Sequence, residues 1–363
     1  MKFDTTKDVL TKGIQDVQSA INPKTTLPIL SNILMETGKD NLSLTATDLD
    51  IGIISNIQVK PGTEGAITIP AKKFFDIIKE LPEGDVSVSV KKNNLVHIEC
   101  PSCLFKIMGL PKDEFPQLPD FKDKDSIAIQ RPRLKKMIAM TSFAISRDET
   151  RYVLNGVLFI IKPTYIRMVA TDGRRLAMVE EKIQAPKTQE RKVIIPAKTI
   201  AELGKLLGDE GEVKVCFGNN QVLFDMGGTK VVSRLIEGEF PNYEQVVPKE
   251  VKDKIGVSRV KLLAATKRAA LFTNTDSLAV KIELSKDKMV LSKSAPYIGE
   301  AREEIVVDYK GKDIAIGFNP DYLVDALKNI NEETVNLEIS DPEKPGVIRI
   351  GNEYVYVVLP MQL

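Results

Sequence analysis

Histidine is nearly absent from this sequence. His97 is the only one in 363 residues, and there is no tryptophan. A single imidazole excludes histidine acid–base pairs and histidine-rich metal clusters. Cysteine is scarce as well: Cys100, Cys103 and Cys216 are too few for a disulfide framework and fit a reducing cytoplasm. No apolar run approaches membrane-spanning length. The N-terminal MKFDTTKDVLTKGIQ is charged and amphipathic, without the apolar stretch of a secretory signal. Neither sign of charge dominates, since 51 basic and 50 acidic residues leave a net charge of +1. Bulk charge therefore does not predict a nucleic-acid binder unless the positive groups are gathered on one surface. P-loop, GxGxxG and GxSxG signatures are missing. GGTK from Gly227 lacks the P-loop spacing and reads as a hairpin turn.

What is present is a threefold repeat. ITIPAKKFFDIIKEL from Ile67, VIIPAKTIAELGKLL from Val193 and IGFNPDYLVDALKNI from Ile316 place Pro70, Pro196 and Pro320 at spacings of 126 and 124. Asp48 in LTATDLDI and Asp172 in MVATDGRRL are 124 apart. A third marker runs FKIMGLPKDEFP, KVVSRLIEGEFP and YVYVVLPMQL. The length fits three domains of roughly 120 residues. They are predicted at 1–122, 126–248 and 252–363, with linkers at Pro116–Ser126 and Val246–Gly256. Three copies of one domain point to a function of overall shape.

Each copy reads as two helix-plus-strand modules. Thr6 and Ser258 can cap first-module helices, and Pro132 opens the middle one. Val9, Leu10, Ile14 and Val17, then Leu134, Met137 and Ile138, then Leu262 and Leu263 form the predicted inner faces. Second-module helices follow the three repeat prolines, and the strands DVSVSV, EVKVCF and TVNLEI follow those helices. The expected class is α+β, with two helices and about eight strands per domain, because the helices sit between groups of strands. Opposite the apolar stripes lie lysines seven apart, Lys72 with Lys79 and Lys198 with Lys205, and the first-module helices carry further basic residues. The third copy has Tyr322 and Asn329 in the lysine places. Such faces are either plain solvated surface or a lining that meets phosphates without reading bases.

Catalytic motifs are few. Asp48 with Asp50, and Asp148 with Glu149, are carboxylate pairs of the kind that hold a metal for nuclease chemistry. Asp172 recurs without a second nearby acid, and the third copy has LSKSAP there, so turn hydrogen bonding is the simpler reading. Cys100 and Cys103 form a CxxC between two strand-like runs. It is a hairpin turn, a redox pair or half of a zinc site, and the strand context favours the turn.

LPILSNILMETGKDNLSLTATDLDIGI, FAISRDETRYVLNGVLF, MVATDGRRLAMVE, EGEFPNYEQVVP and the terminal VVLPMQL closely resemble the bacterial DNA polymerase sliding clamp family, the β subunit of DNA polymerase III, over the whole length. The resemblance implies a non-catalytic protein without cofactor. Two three-domain subunits would join head to tail into a homodimeric ring, with helices lining the hole and sheets outside. It implies sequence-independent contact with duplex DNA through Lys24, Arg147 and Tyr152 beside the inner lysines. It also implies a subunit contact between Phe105 and Ile107 and the partner copy's Leu271 and Phe272. A peptide pocket would use Leu154, Thr171, Gly173, Arg174, Arg175, Leu176, Pro241, Val246, Asn319, Tyr322, Val358, Leu359, Pro360, Met361 and Leu363. Implied partners are the replicative polymerase α subunit, the clamp-loader δ subunit, translesion polymerases, mismatch-repair proteins and other clamp-motif proteins, in the cytoplasm with no membrane. Arg174 replaces a frequent histidine, Gln245 and Gln362 replace frequent arginines, and Ser277 falls near a common aromatic, which points to altered peptide preference. A DNA-processing metalloenzyme built on Asp48 and Asp50, and a monomeric scaffold of the same fold, are the competing readings.

Overall fold

The computed structural model describes residues 1–22, 26–119, 121, 126–185, 189–248, 254–275 and 277–363. Lys24, parts of both expected linkers and the expected boundary residues 122 and 252 lie outside the described residues.

The first repeat runs β1 (Lys2–Thr6), α1 (Lys7–Val17), β2 (Asn32–Thr37), β3 (Asn41–Thr47), β4 (Ile51–Gln58), β5 (Lys60–Thr63), β6 (Gly65–Pro70), α2 (Ala71–Glu80), β7 (Asp85–Val90), β8 (Leu95–Cys100) and β9 (Cys103–Met108). The second runs β10 (Ser126–Gln130), α3 (Arg131–Thr141), β11 (Gly156–Lys162), β12 (Tyr165–Thr171), β13 (Arg175–Lys182), β14 (Arg191–Pro196), α4 (Ala197–Leu206), β15 (Glu212–Phe217), β16 (Gln221–Asp225) and β17 (Thr229–Arg234). The third runs β18 (Ile255–Ser258), α5 (Arg259–Ala270), β19 (Val280–Ser285), β20 (Lys288–Ala295), β21 (Gly299–Val306), β22 (Ile314–Phe318), α6 (Pro320–Lys328), β23 (Thr334–Glu338), β24 (Gly346–Ile350) and β25 (Tyr354–Val358). Two α-helices per repeat among the described residues match the α+β expectation.

Local signals account for these elements. Thr6 caps α1 by accepting from the Val9 amide, and Ser258 caps α5 by accepting from the Lys261 amide. Phe74, Ile77 and Ile78 are buried on α2, while Lys72 and Lys79 are exposed. Two inner-face expectations need correction. Val9 is exposed, because Leu10, Gly13, Ile14 and Val17 already complete the buried stripe. Leu263 is only half-buried, and α5 packs instead through Leu262, Ala265, Thr266 and Ala269.

The sheets do not follow the repeats. The chain forms two compact units, one of Met1–Pro132 with Ala201–Leu235, the other of Arg133–Ile200 with Ile236–Leu363. The first unit holds a five-stranded sheet, β5-β1-β7-β8-β9, and an eight-stranded sheet, β10-β15-β16-β17-β4-β3-β2-β6. In the latter, β17 of the second repeat pairs antiparallel with β4 of the first, Val231 opposite Ile53. The second unit holds an eight-stranded sheet, β14-β11-β12-β13-β25-β24-β23-β18, and a four-stranded one, β21-β20-β19-β22. There β25 of the third repeat pairs antiparallel with β13 of the second, Arg175 opposite Val358. By order within the repeat, β9, β17 and β25 are counterparts, as are β4, β13 and β21. Two of the three possible β9-type to β4-type joints are thus made within the chain. The strands left over, β9 and β21, are both sheet edges.

Candidate partner-binding and DNA-contact sites

One polar cluster organises the expected peptide pocket, and it lies within the second unit. Arg175 opens β13 beside β25. Its Nε donates to Asp172 Oδ2 at 3.0 Å, one terminal nitrogen to Asp325 Oδ2 at 2.8 Å, and the other to the Phe143 carbonyl at 2.7 Å. Its guanidinium carbon stands 4.4 Å from the Tyr322 ring centroid. Burial works against the charge, but the bond to Asp325 and both carboxylates outweigh it, so Arg175 holds its proton more tightly than usual. Beneath it, the buried Tyr356 hydroxyl donates to the Tyr322 carbonyl at 2.8 Å. Burial raises the pKa of that phenol, keeping it a neutral donor.

The backbone brings several of the expected pocket residues to this cluster. Thr171 Oγ1 donates to the Arg175 carbonyl and accepts from the Gly173 amide, closing a turn in which Gly173 has a φ of 86°. Asp172 Oδ1 accepts from the amides of Arg174 and Arg175. The Leu359 amide donates to the Arg174 carbonyl, and the Met361 amide to Gly317, so the C-terminal segment crosses from β13 to β22. Asn319 sits here because it caps α6, its side chain accepting from the Asp321 amide. Leu154, Leu176 and Val358 are buried. Leu359, Met361 and Leu363 are exposed, as are Pro241, Val246, Gly173 and Arg174, while Pro360, Thr171, Arg175 and Tyr322 are half-buried. The expected residues thus divide into a buried apolar set and an exposed apolar and polar set. Leu154 and Leu176 share one core cluster with Phe240 and Tyr243. Arg167 fixes that segment by donating to Glu180, Tyr243 Oη and Glu244. Sequence reasoning missed Asp325, Phe143 and Tyr356, because residues that orient Arg175 carry no local motif.

The loop leading into Leu154 holds Arg147 and Tyr152, both exposed. Asp148 braces it, accepting from the Thr150 hydroxyl and amide, and these bonds hold its carboxyl below the usual carboxylate range. Lys72, Lys79, Lys198 and Lys205 are all exposed on their helices. The basic helix faces are more heavily paired than charge counting implies. Lys205 reaches Glu202 at 2.8 Å, Lys7 reaches Glu83, Lys136 reaches Glu332, and Arg268 makes a two-pronged bond to Glu303 on β21. Asp48 is a turn residue: its Oδ1 accepts from the amides of Asp50 and Ile51. GGTK is the tight turn between β16 and β17, closed by the Met226 amide on the Thr229 carbonyl.

At the two leftover edges several apolar residues are uncovered. Leu104, Phe105 and Met108 on β9 are exposed and Ile107 is half-buried. Leu271 after α5 is 78% exposed, and Val306 on β21 is 86% exposed. Phe272 is half-buried over Gly299, where a Cβ would meet its ring at 3.2 Å.

Family models for the N-terminal, central and C-terminal domains of the DNA polymerase III β subunit match residues 1–119, 128–242 and 244–362, in that order. The chain belongs to the DNA polymerase III β-subunit family. Members of this family are sliding clamps, non-catalytic processivity factors with no active site of their own. The beta sliding clamp of Chlamydia pneumoniae is 34% identical over 363 residues, covering 100% of this chain and 99% of that one. Among solved structures, the DNA polymerase sliding clamp of Bacillus subtilis is 32% identical with a TM-score of 0.95, covering 100% of this chain and 99% of that one. The sliding clamp of Pseudomonas aeruginosa, solved bound to griselimycin, is 33% identical with the same TM-score of 0.95, and both chains are covered in full. Family membership gives the threefold repeat its meaning as three tandem clamp domains. Among the described residues no helix is long and apolar enough to cross a membrane.

Proposed function

We propose that two copies of this chain close head to tail into a ring around duplex DNA, and that the ring tethers a DNA polymerase and other replication and repair proteins. The observation that carries this reading is the unmade third joint. Each in-chain joint pairs a β9-type strand with a β4-type strand, and β9 and β21 are the one such pair left open. A second copy satisfies both edges at once, a heterologous contact that closes by rotation. Phe105 and Ile107 would then face the partner copy's Leu271 and Phe272, burying apolar surface that is costly to leave on an open sheet edge.

Sliding requires weak, sequence-independent phosphate contact, which a net charge near zero with basic helix faces supplies. Arg147, Tyr152, Lys72, Lys79, Lys198 and Lys205 would serve, together with Lys24. The pocket around Arg175, from Leu154 and Thr171 to the C-terminal Leu363, would take a short apolar segment of each partner in turn. The candidates are the polymerase α subunit, the loader δ subunit, translesion polymerases and mismatch-repair proteins. Tethering raises the polymerase's effective concentration at the primer end without new contacts to DNA. The repeats are taken as 1–122, 126–248 and 252–363, and the site of action as the cytoplasm. The decisive measurement is retention after loading. Loaded protein is expected to stay on nicked circular DNA and to run off linear DNA, and equal loss from both would refute the ring.

A further inference from the structure

The CxxC is not absorbed by this function, and its place in the fold gives it one. Cys100 ends β8 and Cys103 begins β9, directly opposite one another with Pro101 and Ser102 as the turn between them. Their Cα atoms are 5.2 Å apart, inside the range a disulfide spans, and the two residues are joined. Both are half-buried, whereas the third cysteine, Cys216, is buried on β15. Cys100 and Pro101 also line a cavity of about 660 Å³ with Thr6, Val9, Lys60 and Glu99, which leaves room for a second thiol to approach. Cys103 is the first residue of the edge strand that carries exposed Leu104, Phe105 and Met108.

We propose that Cys100 and Cys103 are a reversible dithiol–disulfide site that sets how tightly the β9 edge holds β21 of a second copy. This rests on the ring reading above. Oxidised, the cross-link pins the terminal pair of the β8–β9 ladder and presents β9 as a preformed template. Reduced, that end frays, and docking has to order it first. The exchange partner is a low-molecular-weight disulfide of the glutathione class. One cysteine thiolate attacks it, releasing one thiolate and leaving a mixed disulfide. The second cysteine thiolate then displaces the remaining thiolate and closes the protein disulfide. Two protein thiols give up two protons and two electrons, and the oxidant becomes two thiols. A dithiol reductant reverses both steps. In a reducing compartment the dithiol is the resting form, and disulfides that form there are transient and sensory.

The test uses the full chain in glutathione buffers spanning reduced to oxidised. Thiol alkylation read by mass reports the state of the pair, and sedimentation reports the dimer dissociation constant. Reduction is expected to weaken the dimer about three- to tenfold. The Cys100→Ser/Cys103→Ser double variant is expected to match the reduced wild type in every buffer. Equal dimer affinity in oxidised and reduced wild type would overturn the inference while leaving the ring intact. Thiols that remain alkylatable in oxidised glutathione would overturn it as well. A chain that stays monomeric in both states at every concentration would overturn the ring, and this inference with it.

Discussion

Leu49, Gly173 and Tyr297 occupy the same left-handed backbone position in successive repeats, with φ of 79°, 86° and 66° and spacings of 124 residues. Only the second is glycine, the residue that takes this conformation without steric cost. The turn is imposed by the strands on either side, so it persists where the side chain disfavours it. In the second repeat the turn delivers Arg175 to its three acceptors. Arg175→Ala would leave Asp172, Asp325 and the Phe143 carbonyl without their shared donor, at a cost of about 2–4 kcal/mol. Chemical denaturation should register that loss, and binding of a clamp-motif peptide should weaken at least tenfold. Unchanged stability would show that water replaces the guanidinium. The sequence made Arg175 visible only by resemblance. Beyond the neighbouring Asp172, its partners come from α6 and from the segment after α3, distances along the chain that no local pattern reports.

Elements are easier to read than joints. Period, the Thr6 cap and the repeat prolines mark α1, α2 and α6, because an apolar stripe, a capping Thr and a helix-opening Pro are local facts. Nothing local says that β17 leaves its own repeat to pair with β4, since pairing partners far apart in sequence share only alternation. Charge counting overstates the basic faces for a related reason. Arg268 looks like a free cation on α5 until β21 brings Glu303 beside it. That pair predicts a pH dependence. The bond to Arg268 holds the Glu303 carboxyl below its ordinary value, so the folded state binds fewer protons than the unfolded one there. Its small stabilisation is complete at neutral pH and is lost as pH falls through and below about 4.3. The Arg268 side chain is open to solvent and Glu303 is half-buried, so solvent still screens the pair and keeps the effect modest. Glu303→Gln should flatten the acid limb of the thermal melting profile and change little at pH 7; an acid limb identical to wild type would show that the pair contributes nothing.

For the whole molecule, the near-zero net charge and the basic helix faces set the salt response. Reversing Lys72 and Lys198 together, K72E/K198E, is expected to shorten retention on circular DNA several-fold at low salt. The difference should vanish near 1 M, where the screening length is about 3 Å. A loss of equal size at all salt concentrations would place the effect in folding instead. The threefold plan itself was legible, because prolines and turn aspartates recur at fixed spacing. That its sheets are shared between repeats was not.

Of the three joints in the proposed half-ring, two have both strands on one polypeptide. Their strands meet at an effective concentration fixed by the chain, which dilution does not change. The β9–β21 joint has no such tether, so it alone obeys mass action. Progressive dilution should therefore open the assembly at that seam while the β17–β4 and β25–β13 seams stay closed. The same backbone pairing, made twice within the chain and proposed once between copies, would give two permanent welds and one latch.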